Sequence, residues 1–202
     1  MKKILCMVTV AFMLLTLVGC GGASKAENKK AAPPAAKQAE AAPAPASSGK
    51  KVLVAYFSWS GVTRNVAQQI REKTGGDLFE IKTETPYSKE YHKTTELAKA
   101  EKEKDVRPKL AGPLPDLKQY DVILLGYPIW WYIEPMAVKT FVEAQDLSGK
   151  TILPFATSGG SDIASSVADL RKTLPKAQVK DGFLANSTGG LDGWLKENGV
   201  MK

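Results

Sequence analysis

From Lys51 onward the sequence predicts a doubly wound α/β domain of five parallel strands in the order 2-1-3-4-5. Helices would cover both faces as a three-layer sandwich. Three observations predict it. The apolar runs at 52–57, 121–126 and 151–156 are unbroken rather than alternating, as strands buried on both faces require. Segments with helical apolar spacing follow each of these runs, and strands alternating with helices make a parallel sheet. The first, third and fourth strands each run into a loop of unusual composition, at 58–63, 127–133 and 157–162. Of the two strand orders usual for such sheets, 2-1-3-4-5 accommodates five strands. It sets those three strands side by side, and their loops meet at the topological switch point where ligands bind.

The first strand, Val52 to Phe57, breaks into Ser58-Trp59-Ser60-Gly61-Val62-Thr63, and from Val62 the apolar positions Val66, Ala67 and Ile70 mark a helix. A strand, a short hydroxyl-rich loop and a helix start make an anion cradle. First-turn N–H groups point outward unpaired, and the macrodipole favours negative charge there. Ser58, Ser60 and Thr63 add hydroxyls, and Gly61 lets the backbone approach a ligand. An ordinary N-cap is the simpler account of a Ser or Thr before a helix. Three hydroxyls and a glycine in six residues exceed that need and favour a phosphate. The loop contains no Lys and matches neither the P-loop nor G-x-G-x-x-G, which argues against a nucleoside triphosphatase or a standard dinucleotide site.

Asp77 to Lys82 alternates as an edge strand does, and Pro86 ends it. Tyr87 to Lys109 is mostly polar. Tyr91, Thr95, Leu97 and Ala98 hint at a helix, and its alternating charges read as a solvated face. His92, the single histidine, has no partner that would make it catalytic, and Tyr87 and Tyr91 read as surface packing in preference to a lid over a bound ligand. Pro113 to Tyr120 leads into the strand Asp121–Gly126. The loop after it, Tyr127-Pro128-Ile129-Trp130-Trp131-Tyr132-Ile133-Glu134-Pro135, carries four aromatics in six residues. Loops run over surfaces, and two adjacent Trp cannot both point inward. The loop therefore predicts an aromatic wall for a planar ligand. Met136 to Ala144 is helical. The strand Thr151–Ala156 ends in a small-residue loop where Ser158, Gly159 and Gly160 can present backbone amides. Ser161 or Asp162 caps the next helix, Ile163 to Leu174. Gln178–Leu184 reads as one last strand, and Gly190–Asn198 as a closing helix with Leu191, Trp194 and Leu195 inward.

Ahead of this domain, residues 1–19 have the shape of an export signal. Lys2 and Lys3 precede an apolar run, Ile4 to Val18, that is short for a membrane span. Leu17-Val18-Gly19-Cys20 resembles the lipobox of bacterial lipoproteins, which implies cleavage before Cys20, lipidation of that thiol and a membrane anchor. Residues 20–50 are rich in Ala, Pro, Lys and Ser and contain no large apolar residue. They read as a disordered tether, reaching about 30 Å as a flexible coil. Cys6 would leave with the signal, so with Cys20 lipidated the domain 51–202 has no thiol for a disulfide, a metal site or catalysis. The net charge of +7 belongs largely to these appendages. From Lys51 there are 21 basic and 19 acidic residues, no footprint for nucleic acid.

The loop Ser58-Trp59-Ser60-Gly61-Val62-Thr63 matches the flavodoxin phosphate signature, [ST]-x-[ST]-G-x-T, and the chain resembles that family from about Lys51 to Gly199. The resemblance implies one FMN, with the phosphate held by residues 58–63. Pro128, Ile129, Trp130 and Trp131 would flank the ring, and Ser158, Gly159 and Gly160 would meet its polar edge. It also implies a redox partner protein or a small-molecule acceptor or donor. Within that class, an electron carrier competes with an FMN-dependent oxidoreductase acting on acceptors such as quinones. Residues 128–131 lack a glycine, so the loop should resist positive φ, and only Glu134 is acidic nearby; both departures favour two-electron chemistry. A different class stays open: a solute- or glycan-binding lipoprotein using Trp130, Trp131 and Tyr132 as a platform.

Overall fold

A computed structural model describes residues 49–201; the signal, Cys20 and tether expectations lie outside them. The elements in order are β1 (Val52–Tyr56), α1 (Val62–Thr74), β2 (Asp77–Glu80), α2 (Tyr91–Glu103), β3 (Val122–Pro128) and α3 (Met136–Glu143). There follow β4 (Thr151–Thr157), α4 (Ala164–Thr173), β5 (Gln178–Val179), β6 (Phe183–Leu184) and α5 (Leu191–Glu197). The sheet order is β2-β1-β3-β4-β5, with β6 also on β4 and every pairing parallel. The 2-1-3-4-5 order expected from the sequence is the order found.

Strand periodicity divides the core in two, because successive side chains leave opposite faces. Leu53, Ala55, Phe57, Ile123, Leu125 and Tyr127 lie on one face, against Val138 and Phe141 of α3 and Leu170 of α4. Val52, Val54, Tyr56, Leu124, Leu153 and Phe155 lie on the other, against Val66 and Ile70 of α1 and Leu191 and Leu195 of α5. Each of these large apolar side chains contributes roughly 1.5–3 kcal/mol by leaving water. Gly126 is required by this packing, since a Cβ there would sit 2.1 Å from Cζ of Phe155.

The last strand is not continuous. The ladder opposite β4 is interrupted at Lys180–Gly182, and the register shows why. Val179 pairs with Ile152 and Phe183 with Phe155, so the outer chain carries one more residue than β4 between the pairs. Lys180 N–H still donates to Ile152 O at 3.0 Å. In a parallel ladder the next bond would run from the amide of residue 154 to Lys180 O, but residue 154 is proline and has no N–H. The chain bulges there, and Arg171 holds the excursion through Val179 O at 3.1 Å and Asp181 Oδ1 at 2.7 Å.

Candidate functional site

The loop after β1 turns into α1 at Gly61, whose φ of 93° lies in the left-handed region that favours glycine. Ser58 Oγ accepts from the Gly61 and Arg64 N–H groups at 3.1 and 3.2 Å. Ser58 is therefore a capping residue, as the simpler account of the sequence has it. The two accounts are compatible, because a hydroxyl has two acceptor positions and one proton. With both acceptor positions used, the Ser58 proton remains for an anion. Thr63 is buried and shares a 2.9 Å hydrogen bond with the Thr157 hydroxyl at the end of β4. Ser60 and Val62 are exposed. No acidic residue occupies the first turn of α1, so its positive end is not offset locally. Arg64 is drawn aside to Glu80, at 2.5 Å.

The loop after β3 is a tight two-residue turn. Trp130 N–H donates to Ile133 O at 3.0 Å, and Ile133 N–H returns to Trp130 O at 3.2 Å. Trp131 and Tyr132 stand at φ 50° and 74°. The turn thus has left-handed backbone at both central positions, the form that Asn-Gly usually adopts. The expectation that a glycine-free loop avoids positive φ does not hold. Neighbouring bonds hold the strained turn in place. Ile129 N–H donates to Thr157 O at 2.8 Å, Trp131 Nε1–H to Thr95 O at 3.0 Å, and Lys102 Nζ to Trp131 O at 2.6 Å. The two tryptophans diverge as expected. Trp130 turns inward, edge-on to Phe57 at 5.4 Å and Tyr87 at 5.1 Å, and Trp131 stays exposed.

Tyr87 is accordingly half-buried and packed against the core rather than lying on the surface alone. Its hydroxyl donates to Glu101 Oε2 at 2.8 Å, and burial raises the Glu101 carboxyl above its ordinary value, against that hydrogen bond. His92 is exposed.

In the loop after β4, Ser158 Oγ accepts from the Gly160 and Ser161 N–H groups at 3.1 and 2.7 Å, and Ser158 N–H donates to Asn186 Oδ1 at 2.8 Å. Gly159 and Gly160 are exposed. Asp162 Oδ1 accepts from Ala164 N–H at 2.9 Å, at the start of α4.

These loops enclose a cavity of about 260 Å³. Trp59, its Nε1–H fixed to Ser88 O at 2.7 Å, lines it together with Ile129, Trp130, Trp131 and Tyr132. Tyr91, Thr94, Thr95 and Ala98 of α2 form the outer wall. Their i, i+3, i+4, i+7 spacing is one helix face, a signal present in the sequence but masked by the charged residues between. Of the site residues expected from the sequence, Trp59, Ile129, Trp130 and Trp131 line the cavity. Ser58, Ser60, Gly61, Val62, Thr63, Pro128 and Ser158–Gly160 lie outside its lining, and Ser161 is the residue of the 157–162 loop that reaches it. Among the described residues no group of His, Cys, Asp and Glu is placed to hold a metal ion.

The sequence profile of a family described as flavodoxin matches residues 51–198. A flavodoxin from Haemophilus influenzae is 32% identical over 123 residues, 59% of this chain and 56% of that protein; the chain thus spans about half the length of the curated relatives it matches. Among solved structures, a flavoprotein from Bacteroides eggerthii is 37% identical, with a TM-score of 0.70 over 76% of this chain and 100% of its own. A flavoprotein from Lactobacillus acidophilus, solved in complex with FMN, is 25% identical, with a TM-score of 0.62 over 72% and 99%. With the profile spanning the whole sheet and its helices, the chain belongs to the flavodoxin family.

Proposed function

We propose that the chain binds one FMN noncovalently and serves as a redox protein tethered to the cell envelope. The observation that carries this reading is an aromatic-walled cavity set beside a hydroxyl- and amide-lined helix start, past the C-terminal ends of the central strands of a parallel sheet. The Ser58, Ser60 and Thr63 hydroxyls and the amides of Ser60, Val62 and Thr63 would hold the phosphate. Trp59 and Trp130 would flank the ring, with Ile129 and Trp131 beside it. Ser161, and the amides of 158–160 after a small shift, would serve its polar edge. The cofactor supplies the electron-transfer chemistry, while the protein binds it, orients it and excludes water from it. Relatives in Lactobacillus acidophilus and Haemophilus influenzae, described as an FMN complex and a flavodoxin, support the same assignment.

Flavodoxins pass electrons to redox partners, and this chain would serve a partner protein or a small acceptor such as a quinone. The aromatic turn favours two-electron transfer. Its left-handed Trp131 is already held by bonds to α2, and Ile129 ahead of it by a bond to β4, so at neutral pH a backbone flip that follows the charge on the ring would have to break them. The absorbance spectrum of the purified protein tests the main assignment. A yellow preparation, or one that takes up added FMN stoichiometrically, is expected. A colourless protein that refuses FMN and binds oligosaccharide would replace it with the aromatic-platform reading.

A further inference from the structure

Glu134 follows the aromatic turn directly and precedes Pro135, which opens α3. Its side chain is fully buried, and neither carboxylate oxygen accepts a hydrogen bond of normal geometry. A buried carboxylate left this way is costly, so its surroundings must be accounted for. Asp169 and Ser166 face it from α4, Lys139 from α3 and Tyr127 from β3. The Tyr127 and Ser166 hydroxyls are paired with each other at 3.0 Å, and Lys139 Nζ is paired with Asp169 Oδ2 at 2.7 Å. One cation therefore faces two carboxyls. The cluster is neutral, and has a donor to place between the carboxyls, only when Glu134 carries a proton.

We propose that Glu134 is a positioning residue for the aromatic wall: protonated and hydrogen-bonded to Asp169, it ties the strained Trp131–Tyr132 turn to α4. Residues held in left-handed backbone persist only where their surroundings over-determine them. On the far side of the turn that task falls to α2, and on the near side to Glu134. Desolvation, opposed by its own N–H and reinforced by the Asp169 carboxyl, raises the Glu134 carboxyl from its ordinary value to about 8. The sign follows directly. Below that pH the proton is held and the tie is made. Above it the buried cluster gains an uncompensated negative charge, and release of the turn toward solvent relieves it.

The consequence for ligand binding rests on the flavin assignment; the behaviour of the turn does not. The full chain is followed from pH 6.5 to 9.5, without ligand by tryptophan emission and with FMN by titration. The wild type should show a red shift in emission with a midpoint near 8. If only the protonated form binds, FMN affinity should fall by up to about thirtyfold at pH 9.5. Glu134→Gln keeps the donor and cannot ionise. Its emission should stay unchanged over the same range, and its FMN affinity at pH 9.5 should remain within about threefold of that at pH 6.5, after the common titration of FMN itself is subtracted. A parallel pH response in wild type and variant would overturn the proposal. Should the variant not fold, carbon-13 spectra of the wild type decide, because a glutamate carboxyl carbon must titrate above pH 7. If every carboxyl titrates in the ordinary range, the tie does not exist. An emission shift and a high-titrating carboxyl in a protein that binds no flavin would uphold the tie and remove the flavin reading alone.

Discussion

Ser60 and Thr63 stand differently toward an anion at the start of α1. Ser60 is exposed and free to turn, whereas Thr63 is buried and bonded to Thr157. If Thr157 donates in that pair, the Thr63 proton points into the cradle. Each charge-assisted hydrogen bond to a phosphate is worth roughly 1.5–3 kcal/mol. A Ser60→Ala, Thr63→Ala double variant should therefore bind FMN more than tenfold more weakly. Riboflavin, which lacks the phosphate, is the control, because loss of the Thr63–Thr157 bond alone would weaken both flavins alike. Equal losses would place the phosphate elsewhere. The turn at 58–63 from β1 into α1 was legible because its hydroxyls, glycine and helix start are contiguous. The roles within it were not: nothing in the string of residues shows that Ser58 spends both acceptor positions on Gly61 and Arg64. Ser161 was read only as a cap, because which amide or hydroxyl of a small-residue loop faces inward depends on bonds that cross the loop.

Among the elements, α2 was the faintest in the sequence and has the largest share in the cavity's outer wall. Its apolar content is low, and its Lys and Glu residues give the impression of a helix with nothing to face. Its inner stripe is instead short and polar at Thr94 and Thr95, and it is attached by side-chain bonds to backbone. Trp59 and Thr94 both donate to Ser88 O, and Trp131 donates to Thr95 O. Trp131→Phe keeps the ring and removes one such bond, worth about 1 kcal/mol. Amide exchange in residues 91–98 should then quicken by about fivefold while β1 and β3 stay protected. Unchanged exchange in α2 would show that the indole bond does not hold the wall. The strands were the clearest elements, since continuous apolar runs have few other uses in a domain of this size. The exception, the broken ladder at Lys180–Gly182, also had its sign in the sequence. Pro154 sits mid-strand, but the loss becomes visible only when the partner strand's register is known.

For the whole molecule, alternation of β and α patterns sufficed to give the layer order and the switch point. The leader poses a separate question, since residues 1–48 are outside the described structure. If Cys20 is lipidated, stable anchoring needs more than one acyl chain, as a bacterial lipoprotein carries. Cys20→Ser should shift the protein from the membrane pellet to the soluble fraction, with its flavin spectrum unaltered. A variant that is processed and stays in the pellet would exclude the lipoprotein reading. The direction of β1 adds a geometric consequence. Lys51 enters at the end of the sheet where its N–H meets Asp121 Oδ2, at 2.8 Å, and the cavity lies beyond the other end. Five strand residues, about 17 Å, separate the two. Lys51 and the aromatic rim thus stand at opposite ends of β1, and a large partner that docks on the rim approaches the domain from the end away from Lys51.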